Sequence, residues 1–369
     1  MEQSESSVSR WLLLSVLTHG LWGMYPVIGR YLQTRPAVPL DPINLLLVCQ
    51  GVCLALNTAA SSAAARRVAS KAAAEDEGGD EGGDDGDREG DGEGDDDASL
   101  VWTRRERQLV GGVCVAFSLR AMTNMASTGL TLAYNISLIQ MLAPFVMSCA
   151  AHLFLGEQLP GFLFVSLLIS TAGSATVFVG QSALVEETSE LTARDFAGLG
   201  LQFFSIFCSA AQRTLMKLTQ GFLTPLQFMR IQYSAVCVSC LLWSAVQQEL
   251  NPANANWSAW LQLTAFDWIM FATLAGGILF GAATLQVRVV RGLGLAKHSA
   301  MQPVRLLTTV LGSAVLLGER VEGVLEVVGL LVVLAAQIAF ARSTARERTN
   351  KKPTYELVAV EEHDESVAI

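Results

Sequence analysis

Apolar residues in this chain fall into blocks of about twenty, the length an α-helix needs to cross a bilayer, separated by mostly short polar stretches. About ten such blocks are predicted as helices: 11–32, 42–63, 108–130, 134–155, 161–181, 195–217, 225–247, 266–288, 296–317 and 323–342. One stretch occurs twice. Residues 140–180, QMLAPFVMSCAAHLFLGEQLPGFLFVSLLISTAGSATVFVG, align with residues 302–342, QPVRLLTTVLGSAVLLGERVEGVLEVVGLLVVLAAQIAFAR. Gln140 falls on Gln302, Leu155-Gly156-Glu157 on Leu317-Gly318-Glu319, Gly161 on Gly323 and Phe178 on Phe340. Each copy is an apolar run, a Gly-Glu turn and a second apolar run. Five spans per half is an odd number, so one half lies upside down relative to the other. Such inverted halves mark a carrier that holds its substrate between them. The expected fold is therefore an all-α polytopic membrane protein, its ten or so transmembrane helices arranged as two inverted five-helix repeats.

Charge divides the chain further. The net charge is −9, yet residues 75–97 alone hold fourteen acids and one base, so the remainder is mildly basic. That Gly-rich acidic run cannot bury enough apolar surface to order itself. The predicted organisation is two spans in 1–63, a cytosolic, acidic, disordered loop at 64–107, the rest of the first repeat at 108–181, the second repeat at 195–342 and a polar tail at 343–369. Cytosolic loops carry an excess of Lys and Arg. Placing the N-terminus in the cytosol puts Arg10, Arg66, Arg67, Lys71, Arg104, Arg105, Arg107, Lys217, Arg291, Lys297 and the tail cations on one side, with few opposite. Both termini are then cytosolic, in either the plasma membrane or an endomembrane. Asn256-Trp257-Ser258 falls in a loop on the other side, where it is a candidate glycosylation acceptor.

The two LGE turns, each closing a helix of small residues and opening another at Gly161 or Gly323, resemble the EamA-type repeat of the drug/metabolite transporter superfamily. The first span, with Trp22-Gly23, Pro26 and Arg30, is similar to that family's first helix. The run LQVRVVRGLGLAKHSAMQPVRLLTTVLGSAVLLGER resembles its second repeat. The resemblance covers nearly all of the chain except 64–107 and the tail. It implies a ten-helix carrier whose central cavity is lined mainly by spans 1, 3, 4, 6, 8 and 9. One departure stands out: Pro144 aligns with Leu306, and the second copy has Pro303 a turn earlier, which predicts a shifted kink in the ninth span.

Ionisable groups at membrane depth are costly and mark function. Arg120 and Arg305 sit near the middle of their spans. Arg120, Asn124, Ser127 and Thr131 recur on one helical face, as do His298, Gln302, Arg305 and Thr309. Asp and Glu are nearly absent from the spans away from their ends. The two arginines are then satisfied either by an anionic substrate or by carbonyls and water. Arg120, Asn124, Gln302 and Arg305 are the candidate substrate contacts, with Trp22 and Tyr25 as walls. Gln140, paired with Gln302 by the repeat, suits a substrate contact or an interhelical hydrogen bond.

Other chemistry gains no support. No phosphate-binding GxxxxGK[ST] loop is present, no His-Glu-x-x-His or Ser/His couple appears, and the seven cysteines lie in apolar runs without metal-ligand spacing. No cofactor, metal or enzymatic activity is expected. Without a basic patch interleaved with aromatics, nucleic acid is not an expected partner. The expected partners are a small-molecule substrate and the lipid bilayer. A nucleotide-sugar or sugar-phosphate exchanger is the alternative within the transporter class; a non-transporting receptor or scaffold is the alternative outside it.

Overall fold

The computed structural model describes residues 2–34, 40–77, 102–131, 136, 139–140, 142–159, 162–184, 193–250, 257–318 and 323–350. Among them every regular element is helical. In chain order they are α1 (Glu2–Thr34), α2 (Pro42–Glu77), α3 (Arg104–Leu130), α4 (Ala143–Leu155), α5 (Leu163–Leu184), α6 (Ala193–Leu218) and α7 (Pro225–Leu250). After a 3₁₀ turn at Trp257–Gln262 come α8 (Ala265–Leu293), the short α9 (Leu295–Ala300), α10 (Val304–Leu316) and α11 (Val324–Asn350). Stretches of α1, α2, α3, α7 and α8 are long and apolar enough to cross a membrane, and shorter apolar helices lie in α4, α5, α10 and α11.

The distribution of side chains suits an apolar solvent outside. Phe203, Phe204 and Phe207 of α6, Leu241, Leu242 and Trp243 of α7, and Val327, Val328 and Leu331 of α11 are exposed, whereas three arginines and several glutamines are buried. A water-soluble protein would reverse this arrangement. In lipid, polar groups collect where other helices can satisfy them.

Two expectations about loops change. The segment 64–107 was expected to lack structure, but α2 runs on to Glu77. The run of alanines at 63–65 and 72–74 explains the extension, because alanine is the strongest helix former. At the other end of the segment α3 starts at Arg104, behind a capping box. Thr103 Oγ1 accepts from the Glu106 amide at 3.2 Å, and Glu106 Oε2 accepts from the Thr103 amide at 2.7 Å. Likewise α11 continues to Asn350, into the expected tail. The rest of the acidic run, Asn256, Gly161, Glu319 and the remaining tail lie outside the described residues.

The fourth and ninth predicted spans are both interrupted. Leu142 is a turn residue before α4, and Met301-Gln302-Pro303 form a turn before α10. The shifted prolines therefore do not shift the breaks. Pro144 sits in the first turn of α4 and Pro303 caps α10, two places where proline's missing N–H costs nothing. Both helices end at the glycine of an LGE turn. Gly156 has φ +64° and Gly318 φ +73°, the left-handed conformation that closes a helix and that glycine adopts without strain.

Packing pairs α5 with α11, α3 with α6, α1 with α10, α2 with α7, and α4 with both α6 and α9. Helix α8 lies against α1 and α2, and its middle, Thr273–Ala282, is π-helical. Nothing in the apolar pattern predicted that wider coil.

Candidate functional site

Trp22 and Tyr25 lie one turn apart on α1, both buried, with ring centroids 5.9 Å apart. The Trp22 ring collects two cations. The Arg120 guanidinium from α3 lies 5.6 Å from its centroid and the Arg305 guanidinium from α10 lies 5.4 Å away. Cation–π attraction of this kind strengthens when the groups are desolvated, and both arginines are only 7% exposed.

The two arginines differ in their other contacts. Arg120 donates from Nη1 to Gln212 Oε1 of α6 at 2.8 Å. Arg305 donates from Nε to His19 Nδ1 at 3.0 Å, which leaves His19 Nε2 to donate to the His298 carbonyl at 2.9 Å. The His19 and His298 rings stack with centroids 4.3 Å apart, and His298 Nδ1 lies 2.9 Å from Ser15 Oγ. A third arginine, Arg213 of α6, is 1% exposed and points Nη1 at Met147 Sδ, 3.1 Å away. The one buried acid among the described residues is Asp267, at the start of α8 with Thr264 and Tyr31. The interior is thus cationic, and no described carboxylate balances the arginines.

Beside Arg120 lies a small cavity of about 20 Å³, room for a water. Its polar lining is Trp22, Arg120 and four glutamines: Gln50 from α2, Gln212 from α6, Gln232 from α7 and Gln286 from α8. Phe117, Met216, Met229 and Leu279 supply apolar walls. Gln50 Oε1, Gln232 Nε2, Gln286 Oε1 and Trp22 Nε1 are buried and have no hydrogen-bond partner among the described residues. Buried polar groups are ordinarily paired, and ordered water is the usual partner where the room is this small.

Of the residues singled out from sequence, Trp22 and Arg120 line this cavity. Arg305 meets the same Trp22 ring but turns to the histidines. Tyr25 is buried against Met125, donating from its hydroxyl to Met125 Sδ at 3.7 Å. Asn124 is buried on α3, with its Oδ1 unpartnered among the described residues. Gln302 donates from Nε2 to the Gln140 carbonyl at 2.9 Å, so this pair meets across the two interrupted spans. The sequence reading passed over Gln50, Gln212, Gln232, Gln286 and Arg213. A search for uncharged amides inside apolar spans would have found the glutamines. Among the described residues no three His, Cys, Asp or Glu side chains converge as metal ligands.

The fold and the cavity define a class: an all-α protein with an apolar exterior, helices able to span a membrane, and a polar, cationic interior. No family model matches the chain, and no curated protein matches it. A solved structure described only as "Crystal structure of protein" is similar, with a TM-score of 0.58 over 94% of this chain and 99% of its own, at 14% identity. At that identity the likeness shows the fold alone.

Proposed function

We propose that the chain is a membrane carrier of the drug/metabolite transporter type, which moves a small organic solute by alternating access. The observation that carries this reading is the cavity beside Arg120, lined by polar residues of α1, α2, α3, α6, α7 and α8, five of which are long and apolar enough to span a bilayer. Polar and ionisable groups inside membrane-spanning helices are costly and mark function.

The pairing of elements supports ten spans in two inverted repeats. In this arrangement α9 and α10 together form the ninth span. Exchanging each span for the one five places on turns the contact of α1 with α10 into that of α6 with α4. It turns α3 with α6 into α8 with α1, and α3 with α7 into α8 with α2. The matched interruptions and the left-handed glycines of both LGE turns fit the same symmetry. On the side assigned to the cytosol, Glu157 Oε1 accepts from the Leu295 amide at 3.0 Å, tying the end of α4 to the start of α9. Lys217 Nζ donates to the Arg291 carbonyl at 3.0 Å nearby. The Glu157 link joins the halves, and it is the contact that breaks when the cavity opens to that side.

The polar lining of the cavity includes no carboxylate, which favours exchange or facilitated transport over proton coupling through an acid. An untargeted uptake screen in reconstituted vesicles tests the proposal. Saturable uptake of at least one solute, lost in Arg120→Ala, is expected; absence of any protein-dependent flux sinks it. Deleting residues 75–97 separates a carrier from a scaffold. Flux within about twofold of the full chain is expected, because none of the cavity-lining residues falls within 75–97 and long loops tolerate change.

A further inference from the structure

The contact between Arg305 and His19 admits one protonation state. A guanidinium keeps its protons inside proteins, so Arg305 Nε–H is a donor and His19 Nδ1 must accept. His19 Nε2 then carries the ring's one proton and gives it to the His298 carbonyl. Both ring nitrogens are committed, and the neutral ring is 0% exposed. A second proton could sit only on Nδ1. It would set an N–H against the Arg305 N–H across 3.0 Å and place two positive charges side by side.

The surroundings would not offset that charge. The charged or titratable groups facing His19 are His298 from α9, Arg305 from α10 and Arg213 from α6. Arg120 from α3 shares the Trp22 ring with Arg305. None of these is an acid. His298 itself is less constrained. Its Nδ1 meets the Ser15 hydroxyl, which can donate or accept, and its Nε2 has no partner among the described residues. A proton on His298 breaks no hydrogen bond; a proton on His19 breaks the one to Arg305.

The position gives the contact its consequence. In the carrier reading α1 belongs to one half, and α9 and α10 to the other. Helix α9 begins at Leu295, which is tied to Glu157 of α4, and His298 ties the same short helix to Ser15 and His19 of α1.

We propose that His19 is a proton-binding site that governs closure of the two halves. Neutral, it holds Arg305 and the His298 carbonyl; protonated, it releases Arg305, and α1 parts from α9 and α10. The closed arrangement binds one proton fewer at His19, so falling pH opposes closure and rising pH favours it. The change falls between pH 8 and 5, where imidazoles titrate. The proposal rests on the carrier reading for what opening accomplishes, not for the proton chemistry.

Hydrogen exchange on the detergent-purified full-length protein tests it, at pH 8 and pH 5.5, with each amide's rate corrected for the intrinsic effect of pH. One linked proton can shift an equilibrium by up to tenfold per pH unit. Amides of α1, α9 and α10 are expected to exchange about tenfold faster at pH 5.5, while the packed pair α5 and α11 stays within about twofold. His19→Gln keeps an acceptor for Arg305 and a donor for the His298 carbonyl but cannot titrate, so it should abolish the difference. His298→Gln should retain it. Equal exchange at the two pH values in the wild type overturns the proposal without any variant having to fold. So does acceleration that spreads equally to α5 and α11, a difference that survives in folded His19→Gln, or one that vanishes in His298→Gln. Local opening at pH 5.5 in a protein that carries no solute at any pH upholds the proton site and sinks the carrier reading. Protein-dependent flux with no such opening does the reverse.

Discussion

Arg120→Ala should lower uptake of an anionic solute by about 30- to 4000-fold while the protein still folds. The size follows from what Arg120 does. Its guanidinium is the positive group in the cavity lining, and a buried charge-assisted pair that loses one partner costs about 2–5 kcal/mol. Each 1.4 kcal/mol is about tenfold in binding. The truncation also removes the donor to Gln212 Oε1 and the cation over Trp22. Arg120→Lys should recover only part of the loss. A lysine ammonium is a point charge without the planar fork that lets arginine hold Gln212 and face a carboxylate together. Uptake in vesicles, beside the thermal unfolding of each purified variant, checks both. Wild-type uptake by a folded Arg120→Ala would remove Arg120 from the solute site.

The second large effect is on stability. Gly23 sits on α1 where it crosses α10. A Cβ there would collide with Thr308 Oγ1 and lie 2.5 Å from the Arg305 carbonyl oxygen. The hydroxyl can rotate away, but the carbonyl belongs to the backbone of α10 and cannot move without parting the helices. Thr309 Oγ1 donates to the Gly23 carbonyl at 2.7 Å, so the same displacement breaks a buried hydrogen bond. Gly23→Ala should destabilise the fold by about 3 kcal/mol, at the upper end of the range for overpacking. Gly29→Ala is the matched control on the same helix. A Cβ there meets nothing within 4 Å, so its unfolding temperature should equal or exceed that of the wild type. Equal unfolding temperatures for the two variants would show that α1 and α10 are not packed as described.

Much of this fold is legible in the sequence, because a bilayer imposes a single long period that apolar blocks report directly. The buried stripes of α3 and α10 are legible for a related reason: Arg120 and Arg305 are too costly to face lipid. The rest is hidden for physical causes. The reading weighed formal charge, so the neutral glutamines of α2, α6, α7 and α8 passed unnoticed, although a buried unpaired amide also costs free energy. Arg213 lies near the end of its predicted span, where a cation ordinarily snorkels to the interface. Only packing reveals that it turns inward to Met147. The alanine-rich end of α2 is too weakly apolar to signal a membrane span, yet its backbone propensity carries the helix on to Glu77.

The π-helical stretch of α8 sits just upstream of Ala283, Gln286 and Val287, which line the cavity. A π turn accommodates one residue more than an α turn. If a single such turn tightened, every later residue of α8 would rotate by about 100° about the helix axis. Gln286 would swing away from the cavity and a different face of α8 would take its place. Change of coil type within one helix would thus re-line the cavity without moving any helix bodily.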